Sequence, residues 1–98
     1  MAGIEDSITF SEFSEVKERY NLIDVRTQKE YDEGTIEGSS LKPVDEFRSL
    51  LDTINKDKPV AVYCKAGYRA YIAQRILKQN GFEVKNLDGG YLTGKYFK

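Results

Sequence analysis

Cys64 opens the run Cys64-Lys65-Ala66-Gly67-Tyr68-Arg69 and is the one cysteine in the chain, with cations Lys65 and Arg69 close by. Ahead of it, Val60-Ala61-Val62-Tyr63 is a short, β-branched-rich apolar run that reads as a buried strand. Behind it, Ala70 to Asn80 has helical spacing. Ile72, Ala73, Ile76 and Leu77 are predicted on one face, Gln74, Lys78 and Gln79 elsewhere, and Gly81 supplies a left-handed stop. A loop between a strand and the next helix aims backbone N–H groups at whatever occupies its cup, and the helix dipole adds partial positive charge. That setting favours the thiolate, which is the nucleophile. Lone cysteines are often small buried apolar residues, but the strand-end position, Gly67 and the two cations point here to a catalytic cysteine.

The rest of the composition narrows the chemistry. The 98 residues suit one domain with one hydrophobic core, and a 40% hydrophobic content fits an ordinary soluble globular protein. One cysteine forms no internal disulfide, no stretch reaches membrane-spanning length, and the start Met1-Ala2-Gly3-Ile4-Glu5-Asp6 lacks signal-peptide character. A cytoplasmic, membrane-free protein is expected. Its net charge of −1, from interspersed ions, gives no basic stripe for nucleic acid. With no histidine there is no Cys-His or Ser-His-Asp arrangement, and Cys/His metal sites have too few ligands. No metal or cofactor is expected. A cysteine activated by local electrostatics alone suits sulfur-to-sulfur transfer, in which a thiolate attacks sulfur directly and expels a stable leaving group.

The elements that must position this loop follow from periodicity. Ser7-Ile8-Thr9 is a short strand or lead-in. Ser11 to Tyr20 reads as a helix with Ser11 as cap and Phe13, Val16 and Tyr20 inward, ended by Asn21. Leu22 to Arg26 is a strand buried on both faces. Thr27 caps a short helix Gln28 to Asp32, stopped by Gly34. Ile36 to Leu41 carries a further short extended segment. Pro43 starts a helix Val44 to Ile54 with Phe47, Leu50, Leu51 and Ile54 on one face. Glu83 to Leu87 is the last strand, closed by Asp88-Gly89-Gly90, and the basic tail from Tyr91 to Lys98 is left unassigned. Strands alternating with helices predict an α/β fold, a small mainly parallel sheet with helices on both faces. Ligand sites of such sheets lie at the carboxyl ends of strands, where Asp24-Val25-Arg26, Leu41 and Cys64 all fall.

In order and spacing, these segments resemble the rhodanese (thiosulfate sulfurtransferase) family over nearly the whole chain. The pieces are Leu22-Ile23-Asp24-Val25-Arg26 with Glu30-Tyr31, Gly34-Thr35-Ile36-Glu37-Gly38-Ser39, Pro43, the loop Cys64 to Arg69, and Leu87-Asp88-Gly89-Gly90. The helix Tyr71 to Phe82 and the Gly89-Gly90-Tyr91 ending are most similar to rhodanese domains appended to flavin- and NADH-dependent reductases of the coenzyme A disulfide reductase type. Two positions depart from the family pattern: Thr35 replaces a frequent histidine, and Tyr91 follows the glycine pair without a tryptophan nearby.

The resemblance implies that Cys64 takes sulfur from a small-molecule donor (thiosulfate, polysulfide or a persulfide), forms a persulfide, and yields it to a thiol or cyanide. The backbone N–H groups of Lys65 to Ala70, through Ala66, Gly67, Tyr68 and Arg69, would surround the terminal sulfur. Arg69 either holds a sulfonate-like donor or pins the loop through a carboxylate. Lys65 is expected to be exposed and to steer anions. Asp24 and Arg26, on one face of a strand end, either support the loop by pairing with residues such as Glu30 or act directly. A flavoprotein reductase domain or a coenzyme A thiol is the implied partner of a sulfur-relay alternative. A phosphatase is disfavoured, because Lys65-Ala66-Gly67-Tyr68 places four residues between Cys64 and Arg69, where those enzymes use five.

Overall fold

The computed structural model describes residues 7–65, 68–87 and 91. Five strands form one sheet in the order β1-β5-β4-β2-β3: β1 (Ser7–Ile8), β2 (Asn21–Asp24), β3 (Ser40–Leu41), β4 (Val60–Tyr63) and β5 (Val84–Leu87). Every strand pairing is parallel. The connections include four helices, α1 (Phe10–Val16), α2 (Gln28–Glu33), α3 (Phe47–Leu50) and α4 (Tyr68–Gln79). This is the expected α/β fold.

Alternation along the central strands divides the core into two layers. Ile23, Val60, Val62 and Val84 pack with Phe47 of α3 and with Ala70, Ala73, Ile76 and Leu77 of α4. On the opposite face, Leu22, Ala61, Tyr63 and Leu87 pack with Phe10 and Phe13 of α1. Strand β4 is buried throughout, so both its faces carry core side chains, as a parallel central strand requires. Cys64 continues the Val60, Val62 parity and joins the α3/α4 layer, whereas Tyr63 belongs to the α1 layer.

The local signals explain most element ends. Helices α1 and α2 each begin with a capping box: Thr9 with Glu12 and Thr27 with Glu30, at the same spacing. The first cap is therefore Thr9 rather than Ser11, and the helix gives way at Lys17–Arg19 to a 3₁₀ turn. Asn21 starts β2 instead of ending a helix, and β2 closes at Asp24, leaving Val25 and Arg26 in the loop beyond it. Gly81, at φ 85°, ends α4 as expected. Its N–H donates to the Lys78 carbonyl and the Phe82 N–H to that of Leu77, the reciprocal pair of a Schellman motif.

Two helical expectations are corrected. Val44 to Ile54 is not continuous: a 3₁₀ turn Val44–Glu46, the single α turn Phe47–Leu50 and a 3₁₀ turn Leu51–Thr53 follow one another. The Ser49 hydroxyl donates to the Glu46 carbonyl and the Thr53 hydroxyl to that of Leu50, local bonds that compete with the α-helical ladder. Phe47 and Ile54 are nonetheless buried. On α4, Ile72 is exposed and Gln74 buried, the reverse of the expectation. At about 100° per residue, Ala70, Ala73, Gln74 and Leu77 share one face and Ile72 falls roughly opposite.

Candidate active site

Parallel pairing brings the carboxyl ends of β2, β3 and β4 side by side: Asp24 lies in register with Leu41 on one side and Tyr63 on the other. Cys64 follows at once, in the loop that leads to α4. Cys64 is 2% exposed. Lys65 beside it is exposed, as expected. Ala70 is fully buried in the first turn of α4. Ala66 and Gly67 lie outside the described residues, as do Asp88, Gly89 and Gly90, and of Tyr68 only the backbone is described, as the first residue of α4.

Asp24 and Arg26 do share a face, but they pair with one another and not with Glu30. Arg26 Nη2 lies 2.7 Å from Asp24 Oδ2 and its Nε donates to Asp24 Oδ1 at 3.0 Å, with side chains 3% and 0% exposed. The Arg26 backbone N–H adds a bond to Asp24 Oδ1, and Nη2 also donates to the Gly34 carbonyl at 2.7 Å. Burial pulls the Arg26 pKa down, but the hydrogen bond and charge of Asp24 outweigh it and leave it raised. A buried pair satisfied on so many sides holds geometry more than it adds stability.

Around this pair runs a network that the sequence reading did not anticipate. The Tyr63 hydroxyl donates to Ser39 Oγ, accepts from the Ile36 N–H at 3.1 Å, and lies 2.7 Å from Thr35 Oγ1. Thr35 in turn donates to Asp24 Oδ2. Burial raises the Tyr63 pKa, against the lowering effect of these hydrogen bonds, so the phenol stays protonated. Thr35, at the position where the resembled family often carries histidine, therefore bridges β4 to Asp24. The ring of Tyr91 lies over the Arg26 guanidinium at 4.2 Å, and its backbone N–H donates to the Cys64 carbonyl at 2.7 Å. Gly34 makes room for this ring, because a Cβ there would overlap the Tyr91 hydroxyl.

Arg69 is engaged from the other side. Its Nη1 and Nη2 donate to Glu30 Oε1 and Oε2 at 2.6 and 2.9 Å, a two-point ion pair between α4 and α2. Glu30 is itself held by the Thr27 backbone N–H at 3.1 Å. The Arg69 bond, against some opposing burial, lowers the Glu30 pKa to about 2, and the Thr27 bonds add to it. The Arg69 pKa is raised, chiefly by the bond and charge of Glu30, against some opposing burial. Of the two roles open to Arg69, the geometry favours pinning the loop.

The chain matches the family described as rhodanese-like domain over residues 9–94. It is a rhodanese-like domain. Among solved structures, the rhodanese-related protein of Thermoplasma volcanium superposes with a TM-score of 0.87 at 30% identity, covering 92% of this chain and 90% of that one. Reduced Bacillus anthracis CoADR-RHD superposes with a TM-score of 0.83 at 39% identity; 88% of this chain is covered, but only 16% of that one. A protein of Allochromatium vinosum named sulfurtransferase is 36% identical over 73 residues, 74% of this chain and 68% of the relative. The rhodanese-like domain thus occurs both nearly alone and as a small part of a longer protein. Among the described residues, no helix is long and apolar enough to cross a membrane.

Proposed function

We propose that this rhodanese-like domain is a sulfurtransferase that carries sulfane sulfur as a persulfide on Cys64. The observation that carries this reading is the position of Cys64 just past central strand β4, in the loop that leads to α4, with Arg69 in the first turn of that helix tied to Glu30. In the first half-reaction the Cys64 thiolate attacks the outer sulfur of the donor. The donor S–S bond breaks and its electron pair leaves with sulfite, or with a thiolate when the donor is a persulfide. In the second, an acceptor thiolate or cyanide attacks the terminal sulfur of the Cys64 persulfide and releases the Cys64 thiolate. Neither half needs a histidine base, because both leaving groups depart as stable anions. Backbone N–H groups at the start of α4 would stabilise the charge on the bound sulfur.

The test is transfer to cyanide, read as thiocyanate, with thiosulfate and polysulfide as donors. Wild type is expected to turn over with at least one donor, and Cys64→Ser with none, since a serine hydroxyl without a base is a poor nucleophile.

The likeness to CoADR-RHD, in which this domain corresponds to a small share of the chain, supports a second reading. The domain would act as a sulfur relay for a flavin- and NADH-dependent reductase, with a coenzyme A thiol as acceptor. Turnover with coenzyme A exceeding that with cyanide would favour the relay, and the opposite ranking a free-standing transferase.

A further inference from the structure

The charges around Cys64 are matched in pairs. Asp24 is neutralised by Arg26 and Arg69 by Glu30, each through two guanidinium nitrogens. Lys65, next to Cys64, has no carboxylate partner among the described residues, but it is exposed, where water weakens its hold on an anion. Thiosulfate brings a sulfonate end as well as a sulfane sulfur, and that end needs a cation or several donors to replace its water. Arg69 is the cation on the first turn of α4 suited to that task, because a planar guanidinium matches an oxyanion at two points. The edge formed by its two terminal nitrogens instead faces Glu30, whose carboxylate also neutralises its charge. Glu30 is in turn fixed by the capping box of α2, so the carboxylate is oriented before any donor arrives.

Resting on the sulfur-transfer reading above, we propose that Glu30 is a specificity-determining residue. It withholds Arg69 from sulfonate and thereby directs the site to donors that end in a hydropersulfide, R–S–SH, in preference to thiosulfate. The Cys64 thiolate attacks the terminal sulfur of such a donor, and the donor S–S bond breaks with its electron pair going to the leaving thiolate. The proton stays on the transferred sulfur, so the products are a Cys64 hydropersulfide and R–S⁻, with atoms and charge balanced. This donor has no second anionic group, and loses nothing to the Glu30–Arg69 pair.

The experiment follows sulfur uptake by intact mass against donor concentration for wild type, Glu30→Gln and Arg69→Lys. The donors are thiosulfate, inorganic polysulfide and an alkyl hydropersulfide, the last two separating the inorganic from the organic source of the same end group. Wild type is expected to half-saturate with a hydropersulfide end at a concentration at least about tenfold below thiosulfate, the factor that one charge-assisted contact supplies. Glu30→Gln removes the opposing charge from Arg69 and is expected to lower the half-saturating thiosulfate concentration by about tenfold relative to the other two donors, over and above any change common to all three from loosening the loop. Arg69→Lys, whose result does not depend on how the Glu30 variant folds, is expected to change all three donors alike. A selective rise for thiosulfate in Arg69→Lys, or no thiosulfate gain in a folded Glu30→Gln, overturns the role of Glu30 while leaving Cys64 transfer standing. Absence of uptake from every donor by wild type overturns the transfer reading itself, and this proposal with it.

Discussion

Tyr91 donates its backbone N–H to the carbonyl of Cys64 at 2.7 Å. The same residue lays its ring over Arg26, so the buried Asp24–Arg26 pair is linked to the cysteine through one residue, by its ring on one side and its main chain on the other. The bond itself comes from the main chain and survives substitution; what a variant changes is how firmly the donor is held. Tyr91→Ala is expected to cost about 1–2 kcal/mol through loss of the desolvated cation–π contact, and to slow sulfur uptake at Cys64. Tyr91→Phe keeps the ring and should stay near wild type in both. Chemical denaturation beside a sulfur-uptake rate measures the pair.

Asp24→Ala removes the partner of a guanidinium that is 3% exposed. An uncompensated buried cation is costly, and the expected loss is about 3–5 kcal/mol in urea unfolding. The loss should exceed that of Glu30→Ala, whose pair is partly solvated. Equal losses would mean that the buried pair is no more consequential than the surface one.

Tyr63→Phe tests the hydroxyl that joins Ile36, Thr35 and Ser39 to β4. The change leaves the Ile36 N–H without its acceptor, and a destabilisation of about 1–3 kcal/mol is expected. Thermal unfolding reads it.

The Glu30–Arg69 pair predicts an acid dependence. Glu30 has a folded pKa of about 2 against an ordinary 4.5, so its contribution is complete above pH 4.5 and is lost as pH falls towards 2. The shift sets a ceiling of roughly 3 kcal/mol, and partial exposure of both side chains reduces this to about 1–2 kcal/mol. Wild type and Glu30→Gln should therefore differ in stability at pH 6 and converge near pH 2. A gap that stays constant across that window would contradict the assigned cause.

What the sequence displayed and what it concealed follow from range. Val60–Tyr63 has the observed bounds of β4, because a short apolar run before a loop signal is complete within itself. Gly81 was equally legible, since a left-handed C-cap demands glycine locally. The Thr9 cap, where Ser11 was expected, carried the same Thr-x-x-Glu spacing that marks Thr27 and went unread. The broken helix from Val44 to Thr53 was concealed, because apolar periodicity does not register the side-chain bonds of Ser49 and Thr53. Sequence position alone placed Asp24, Arg26 and Cys64 near the carboxyl ends of β2 and β4. The partnership of Glu30 with Arg69 spans 39 residues and that of Thr35 with Tyr63 spans 28, contacts that exist only once the sheet order is set.

The most direct measurement of the central claim is the intact mass of the protein after incubation with polysulfide or thiosulfate. Wild type is expected to gain the mass of one sulfur atom, to lose it on addition of cyanide or excess thiol, and Cys64→Ser to gain nothing. Sulfur retained by the serine variant, or a wild-type protein that never takes up sulfur from any donor, would contradict a persulfide on Cys64.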